Sequence, residues 1–198
     1  MTSNKPIFRY LQDVEEGWRN ALAEVCVICR QLAPGYRFIE VHDDGYDEHH
    51  VCEPCLVAGR LAESGLRIND ADREALSEQL RQFHPELTEK ERALLASERT
   101  AEVEQRTPRP SVLNMFCWPA HCGDYVVYHK RVDADEVSRL AAEGGGKAFL
   151  ASHLDASCGE VDEEFIERVW EDRLKGFMQF YLWRCAHCGE YLFTCTSD

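Results

Sequence analysis

Apolar and polar positions change their spacing three times along the chain. In the first stretch, Arg37 to His42 alternates with the period of a strand, Phe38 and Glu40 on one face and Ile39 and Val41 on the other. Phe8 and Tyr10 anchor the segment before it, Pro34-Gly35 marks a turn, Asp43-Asp44-Gly45 marks another, and Val51 leads onward. From residue 68 the spacing becomes helical. Asp70 caps a segment with Leu76, Leu80 and Phe83 on one face, and Pro85 breaks it. Thr88 and Glu91 then form a capping box for a second helix carrying Leu94, Leu95 and Val103, which ends before Pro108 and Pro110.

Past that boundary the pattern mixes both periods. Tyr125 to Tyr128 reads as a buried strand, and Glu136 to Ala142 as a helix stopped by the flexible joint Gly144-Gly145-Gly146. A helix from Val161 to Leu174 directs Phe165, Val169 and Trp170 to the core. Phe177 to Trp183 and Tyr191 to Thr196 are strands on either side of Cys185-Ala186-His187-Cys188-Gly189. The fold class is therefore α+β. A zinc-ribbon-like β-hairpin unit (1–60) leads through a helical connection (61–105) to an α+β unit (106–198) that ends in a second ribbon-like hairpin.

Composition narrows the function classes. Hydrophobic residues make up 44% of the 198, enough to build a packed core. No run of about 18 apolar residues occurs, so no membrane-spanning helix is expected. Met1 to Tyr10 lacks the apolar region of a signal peptide, which makes the cytoplasm the expected location. Asp and Glu number 36 against 22 Lys and Arg, a net charge of −14. A phosphate backbone attracts the opposite balance, so nucleic acid is not expected as a partner and a basic protein is.

Ten cysteines carry the candidate chemistry. Cys26-Val27-Ile28-Cys29 and Cys52-Glu53-Pro54-Cys55 are two C-x-x-C pairs with 22 residues between them. That spacing suits a tetrahedral Zn2+ held as a closed structural site, with no coordination position left for water. Arg30 stands where glycine often permits the tight turn of a knuckle. A second set is less complete: Cys185 and Cys188 form a knuckle with Gly189, Cys122 precedes Gly123, and Cys117, His121 or Cys195 is available as a fourth ligand.

Elsewhere the chemistry is thin. His49 and His50 precede Cys52, but Pro54-Cys55 is followed by Leu56-Val57-Ala58, so the deaminase signature fails and both are expected as surface or loop residues. Cys158 reads as isolated, placed before the helix that follows. No phosphate loop, nucleophile elbow or dinucleotide fingerprint occurs. Glu160, Asp162, Glu163, Glu164, Glu167, Glu171 and Asp172 concentrate acid in one helix and form the candidate partner-binding patch. The alternative is a zinc-dependent hydrolase or redox-active protein with an open second site at His121, Cys122, Cys185 and Cys188.

Several of these stations resemble the CbrC family, a bacterial group named after a colicin tolerance protein. Pro6-Ile7-Phe8-Arg9-Tyr10 is similar to its opening Phe-x-Tyr segment, and the two N-terminal C-x-x-C pairs to its knuckles. Arg106-Thr107-Pro108 resembles its Arg-Thr-Pro-Gly turn, with Arg109 replacing the glycine. Trp118 with His121-Cys122-Gly123-Asp124, and Tyr181-Leu182-Trp183-Arg184-Cys185 with His187-Cys188-Gly189, resemble its two most specific motifs. Glu53-Pro54 departs from the Pro-Trp usual inside the second knuckle, and the terminal cysteine is shifted to Cys195. The resemblance implies a non-enzymatic zinc-binding bacterial protein in a toxin tolerance or immunity role, its basic partner a toxin domain. It supplies no catalytic residues.

Overall fold

The computed structural model describes residues 8–13, 17–42, 45–111, 117–141, 145–159, 161–172, 174 and 178–197. Helices and small sheets alternate along it, an α+β chain. Of the described residues, those up to Val127 form one compact unit and those from Tyr128 form another.

The first unit opens with an antiparallel sheet in the order β1 (Arg19–Val25), β2 (Leu32–His42), β3 (Gly45–Cys52). The strand expected at 37–42 starts earlier, at Leu32, so Pro34-Gly35 lies inside β2 and is not a turn. Gly35 stands opposite Cys52 in the ladder. A Cβ on Gly35 would come within 2.1 Å of the Val51 carbonyl oxygen, so close approach of two strands demands the glycine. Tyr36 and Phe38 are buried, whereas Val41 is exposed near the strand's far end.

Next come α1 (Glu53–Val57), a 3-10 turn at Arg60–Glu63, β4 (Asp70–Ala71), α2 (Arg73–Phe83) and α3 (Glu89–Arg106). The cap of α2 is Asp72, which accepts from the Ala75 amide at 2.9 Å. Asp70, expected in that role, instead pairs in parallel with Cys117 of β5 (Cys117–Trp118). Thr88 and Glu91 form the expected capping box of α3. The inward face of α3 is different from its apolar pattern: Leu94 is exposed, while Thr100, Val103 and Glu104 are buried. Burying Glu104 is tolerable because Arg73 bonds its carboxylate at 2.6 Å. Asn69 donates to the carbonyls of Val103 and Thr107 at 3.0 and 2.8 Å, closing the end of the helix.

Residues 61–105 are more than a connection. The Ile68 amide bonds the Glu104 carbonyl at 2.8 Å and the Asp72 amide bonds the Trp118 carbonyl at 3.2 Å, so the helices belong to the first unit. Its last hairpin joins β6 (Ala120–His121) to β7 (Asp124–Tyr125) through Cys122-Gly123, both at positive φ, 53° and 78°.

In the second unit, β8 (Val127–Val132), entered at Tyr128, joins the sheet β10-β9-β8, with β9 (Met178–Arg184) antiparallel to β10 (Tyr191–Ser197). Around it lie α4 (Ala134–Leu140), α5 (Gly146–Ser152), a 3-10 turn at Ala156–Cys158 and α6 (Glu163–Glu171). Val132, Val137, Leu150, Val169, Leu174, Phe180, Leu182 and Phe193 form its core. Helix α6 is shorter than the expected 161–174 and buries Ile166 and Val169, with Phe165 and Trp170 half-buried. The glycine joint is also different. Gly146 starts α5, and a Cβ there would meet Ser138 and Trp170 at 2.6 Å, which makes this glycine a packing requirement. Gly144, Phe177 and Glu160 lie outside the described residues. No described helix is long and apolar enough to cross a membrane.

Candidate metal centre

Cys26 follows directly on β1. Its amide bonds the Gln31 carbonyl and its carbonyl accepts from the Arg30 amide, both at 2.9 Å, so residues 26–31 close into a knuckle. Arg30 takes the left-handed conformation this turn needs, φ 62°. The Val27 amide reaches the His50 carbonyl at 2.8 Å and ties the knuckle to β3. Cys52 is the last residue of β3 and the residue that precedes α1. Pro54 lies in the first turn, where its missing N–H costs no helical bond, and Cys55 follows. The second pair therefore sits on a strand-to-helix junction, and not on a second knuckle of the expected kind.

These elements bring the Sγ atoms of Cys26, Cys29, Cys52 and Cys55 within 4.8 Å of one another. The Cys29 and Cys52 sulfurs are 3.7 Å apart. Zinc–sulfur bonds of about 2.3 Å in a tetrahedron put the sulfurs about 3.8 Å apart, so the donor set fits that ion. All four cysteines are free thiols, three of them buried and Cys29 half-buried. Burial raises the Cys26 thiol, but main-chain donors at Cys52, Cys29 and Ile28 outweigh it and bring it down to about 6. The Cys52 amide lies 3.4 Å from that sulfur. Burial pushes Cys52 up to about 12, and Cys55 is raised for the same reason. Four sulfurs this close cannot all ionise without a cation among them. The Arg60 guanidinium, 3.6 Å from the Cys55 Sγ, adds a positive donor at the rim. No periodicity or motif marks Arg60 in the sequence.

The second set of expected ligands is divided between the units. His121 ends β6 and Cys122 opens the tight turn of the first unit. Cys185 and Cys188 lie between β9 and β10 in the second. There the Cys185 amide bonds the Glu190 carbonyl at 2.8 Å and the Gly189 amide bonds the Cys185 carbonyl at 3.0 Å. This is the hydrogen-bond pattern of the Cys26 knuckle, with Gly189 (φ 79°) where that knuckle has Arg30. Each unit by itself thus presents half a ligand set. Cys117 is in β5 and exposed; Cys195 is in β10 and half-buried. Cys158, expected alone, has its Sγ 3.9 Å from the Phe193 carbonyl of that strand.

His49 and His50 are not loop residues. Both lie in β3; His50 is buried with Nε2 2.9 Å from the Ala33 carbonyl, and His49 packs on Phe38 beside Glu40. On α6 and its ends, Asp162, Glu163, Glu164, Glu167, Glu171 and Asp172 are exposed. Asp162 caps the helix through the Phe165 amide at 2.7 Å, and Glu167 pairs with Lys147.

No curated protein and no solved structure is similar to this chain. One family model nevertheless matches residues 6–196, nearly the whole chain: the chain belongs to UPF0167, an uncharacterised protein family.

Proposed function

We propose that this protein holds Zn2+ at Cys26, Cys29, Cys52 and Cys55 as a structural ion and acts without catalysis, by binding a basic protein. The observation that carries this reading is the closed donor set. Four protein sulfurs within 4.8 Å of one another would fill all four positions of a tetrahedral ion and leave none for a water or substrate. The ion would supply folding energy to the junction of knuckle, strand and α1.

The partner is inferred from charge. A net charge of −14 steers basic surfaces toward the protein. On α6, Glu163, Glu167 and Glu171 recur every fourth residue and so share one exposed stripe, with Glu164 beside it. Glu171 and Asp172 stand at the negative end of the helix dipole, where acids cost stability, so helix stability does not account for them. The resemblance to the CbrC family makes a toxin domain the preferred partner, bound in a tolerance or immunity role. Nuclease toxins must hold phosphates and are basic for that reason.

The test has two arms. Cys52→Ser should lose one equivalent of zinc per chain by elemental analysis. Charge reversal of Glu163, Glu164, Glu167 and Glu171 should leave zinc content intact. It should also slow association with a basic nuclease toxin domain about tenfold or more at low salt and flatten the salt dependence. Unchanged on-rates would remove α6 as the docking face, and metal-free wild-type protein would remove the structural ion.

A further inference from the structure

Two cysteines outside the metal quartet meet in the second unit. Cys158 closes the 3-10 turn Ala156–Cys158, and Cys195 lies in β10 opposite Phe180. The approach is fixed by main-chain bonds on either side of Phe193. Its carbonyl accepts from the Asp155 amide at 2.8 Å, its amide donates to the His153 carbonyl at 2.8 Å, and Leu154 bridges to it in parallel. Asp155 in turn caps the turn through the Ser157 amide at 2.9 Å. The segment 153–158 is thus stitched along β10. Its thiol is delivered to the Phe193 carbonyl at 3.9 Å, beside Cys195 two positions further along β10. Both sulfurs are half-buried, and neither belongs to the N-terminal quartet.

We propose that Cys158 and Cys195 are a redox-active dithiol that closes to an intramolecular disulfide on reaction with a hydroperoxide. Each thiol acts on the other, raising Cys158 and lowering Cys195, so Cys195 is the more readily ionised of the two. The Cys195 sulfur attacks the peroxide oxygen; an S–O bond forms, the O–O bond breaks, and the leaving oxygen departs as water or alcohol after taking a proton. Cys158 then attacks the Cys195 sulfenic acid; the S–S bond forms, the S–O bond breaks, and water leaves with the Cys158 proton. The pair loses two electrons and the peroxide gains them. The resulting bridge spans residues 158 to 195 and encloses α6, β9 and the Cys185–Cys188 knuckle. The inference does not depend on a protein partner or on the N-terminal zinc.

The experiment uses the full chain, reduced and metal-loaded, titrated with hydrogen peroxide and quenched with a thiol alkylator. Peptide mapping with fragmentation should find Cys158 joined to Cys195, lighter by two hydrogens. Both should be lost from alkylation at doses that leave the N-terminal metal bound. Cys158→Ser should accumulate a dimedone-reactive sulfenic acid on Cys195, which dithiothreitol removes. The proposal falls if both thiols stay alkylatable while other cysteines oxidise, or if either sulfur bridges elsewhere. It also falls if Cys195 resists alkylation before oxidation and is released by a chelator, which would make it a metal ligand. The wild-type map decides the matter even where a serine variant fails to fold.

Discussion

The Tyr10 hydroxyl donates to the Asp124 carboxylate at 2.6 Å, across 114 positions of sequence. The bond joins the Phe-x-Tyr opening to the His-Cys-Gly-Asp turn. Phe8 packs edge-on against Tyr36 of β2, and Tyr10 edge-on against Tyr125, so the opening segment is pinned at three places in the first unit. Asp124 also takes Arg9 at 2.5 Å and faces Arg99 at 3.5 Å, and Arg99 bonds the Gly123 carbonyl. The turn that presents Cys122 is therefore held by its next-but-one residue. Tyr10→Phe keeps the ring packing and removes one charge-assisted bond, an expected loss of about 1.5–3 kcal/mol. Asp124→Ala should cost more, because it strips the partner from Arg99, whose side chain is 13% exposed. Urea denaturation checks the order; a neutral Tyr10→Phe would show that the network does not hold the opening.

Metal removal should act on the first unit far more than on the second. Structural zinc contributes on the order of 10–16 kcal/mol of apparent folding free energy at such sites, about as much as a small domain possesses. The core around Phe180, Leu182 and Phe193 closes without those sulfurs. Chelation of reduced protein should abolish amide-exchange protection in β1–β3 while β9 and β10 keep theirs. Uniform loss across both units, or none, would contradict this division.

Much of this was legible in the chain. The C-x-x-C spacing, the hairpin between the pairs, the Thr88 capping box and the terminal hairpin all rest on local rules, and the structure has them. What escaped depends on contacts remote in sequence. Asp70 and Asp72 are equal candidates for a cap until β4 takes Asp70 into a ladder with Cys117. The inward face of α3 is hidden because Glu104, a charged residue, is buried against Arg73. Gly146 looks like a joint until Trp170 is packed on it. Cys158 looks solitary until segment 153–158 is bonded along β10. Of the candidate sites, the quartet was readable because each C-x-x-C pair is local and only a hairpin separates the two. The Cys158–Cys195 pair has no such spacing.

Gly35 offers a backbone test of the metal site. Its missing side chain lets β2 lie against β3 opposite Cys52, and a methyl group would sit 2.7 Å from the Cys52 Cα as well as on the Val51 carbonyl. Both obstacles are main chain, so the strand must move and carry Cys52 with it. Gly35→Ala should destabilise the first unit by about 1–3 kcal/mol, the usual cost of overpacking, and speed zinc transfer to a chromogenic chelator. A variant with wild-type transfer rates would mean that β3 can yield without disturbing its thiol.

The two knuckles share one turn but differ at the residue that needs a positive φ, Arg30 at 62° and Gly189 at 79°. A non-glycine residue in this region costs about 1–2 kcal/mol, whereas glycine loses roughly 0.5–1 kcal/mol more backbone entropy on folding. The difference favours glycine by about 0.5–1 kcal/mol. Arg30→Gly should therefore raise the stability of the metal-bound first unit by that amount, and Gly189→Ala should lower that of the second by a similar one. Thermal unfolding of the two variants gives both signs. If Arg30→Gly destabilises, the arginine side chain makes a contact worth more than the strain its backbone carries.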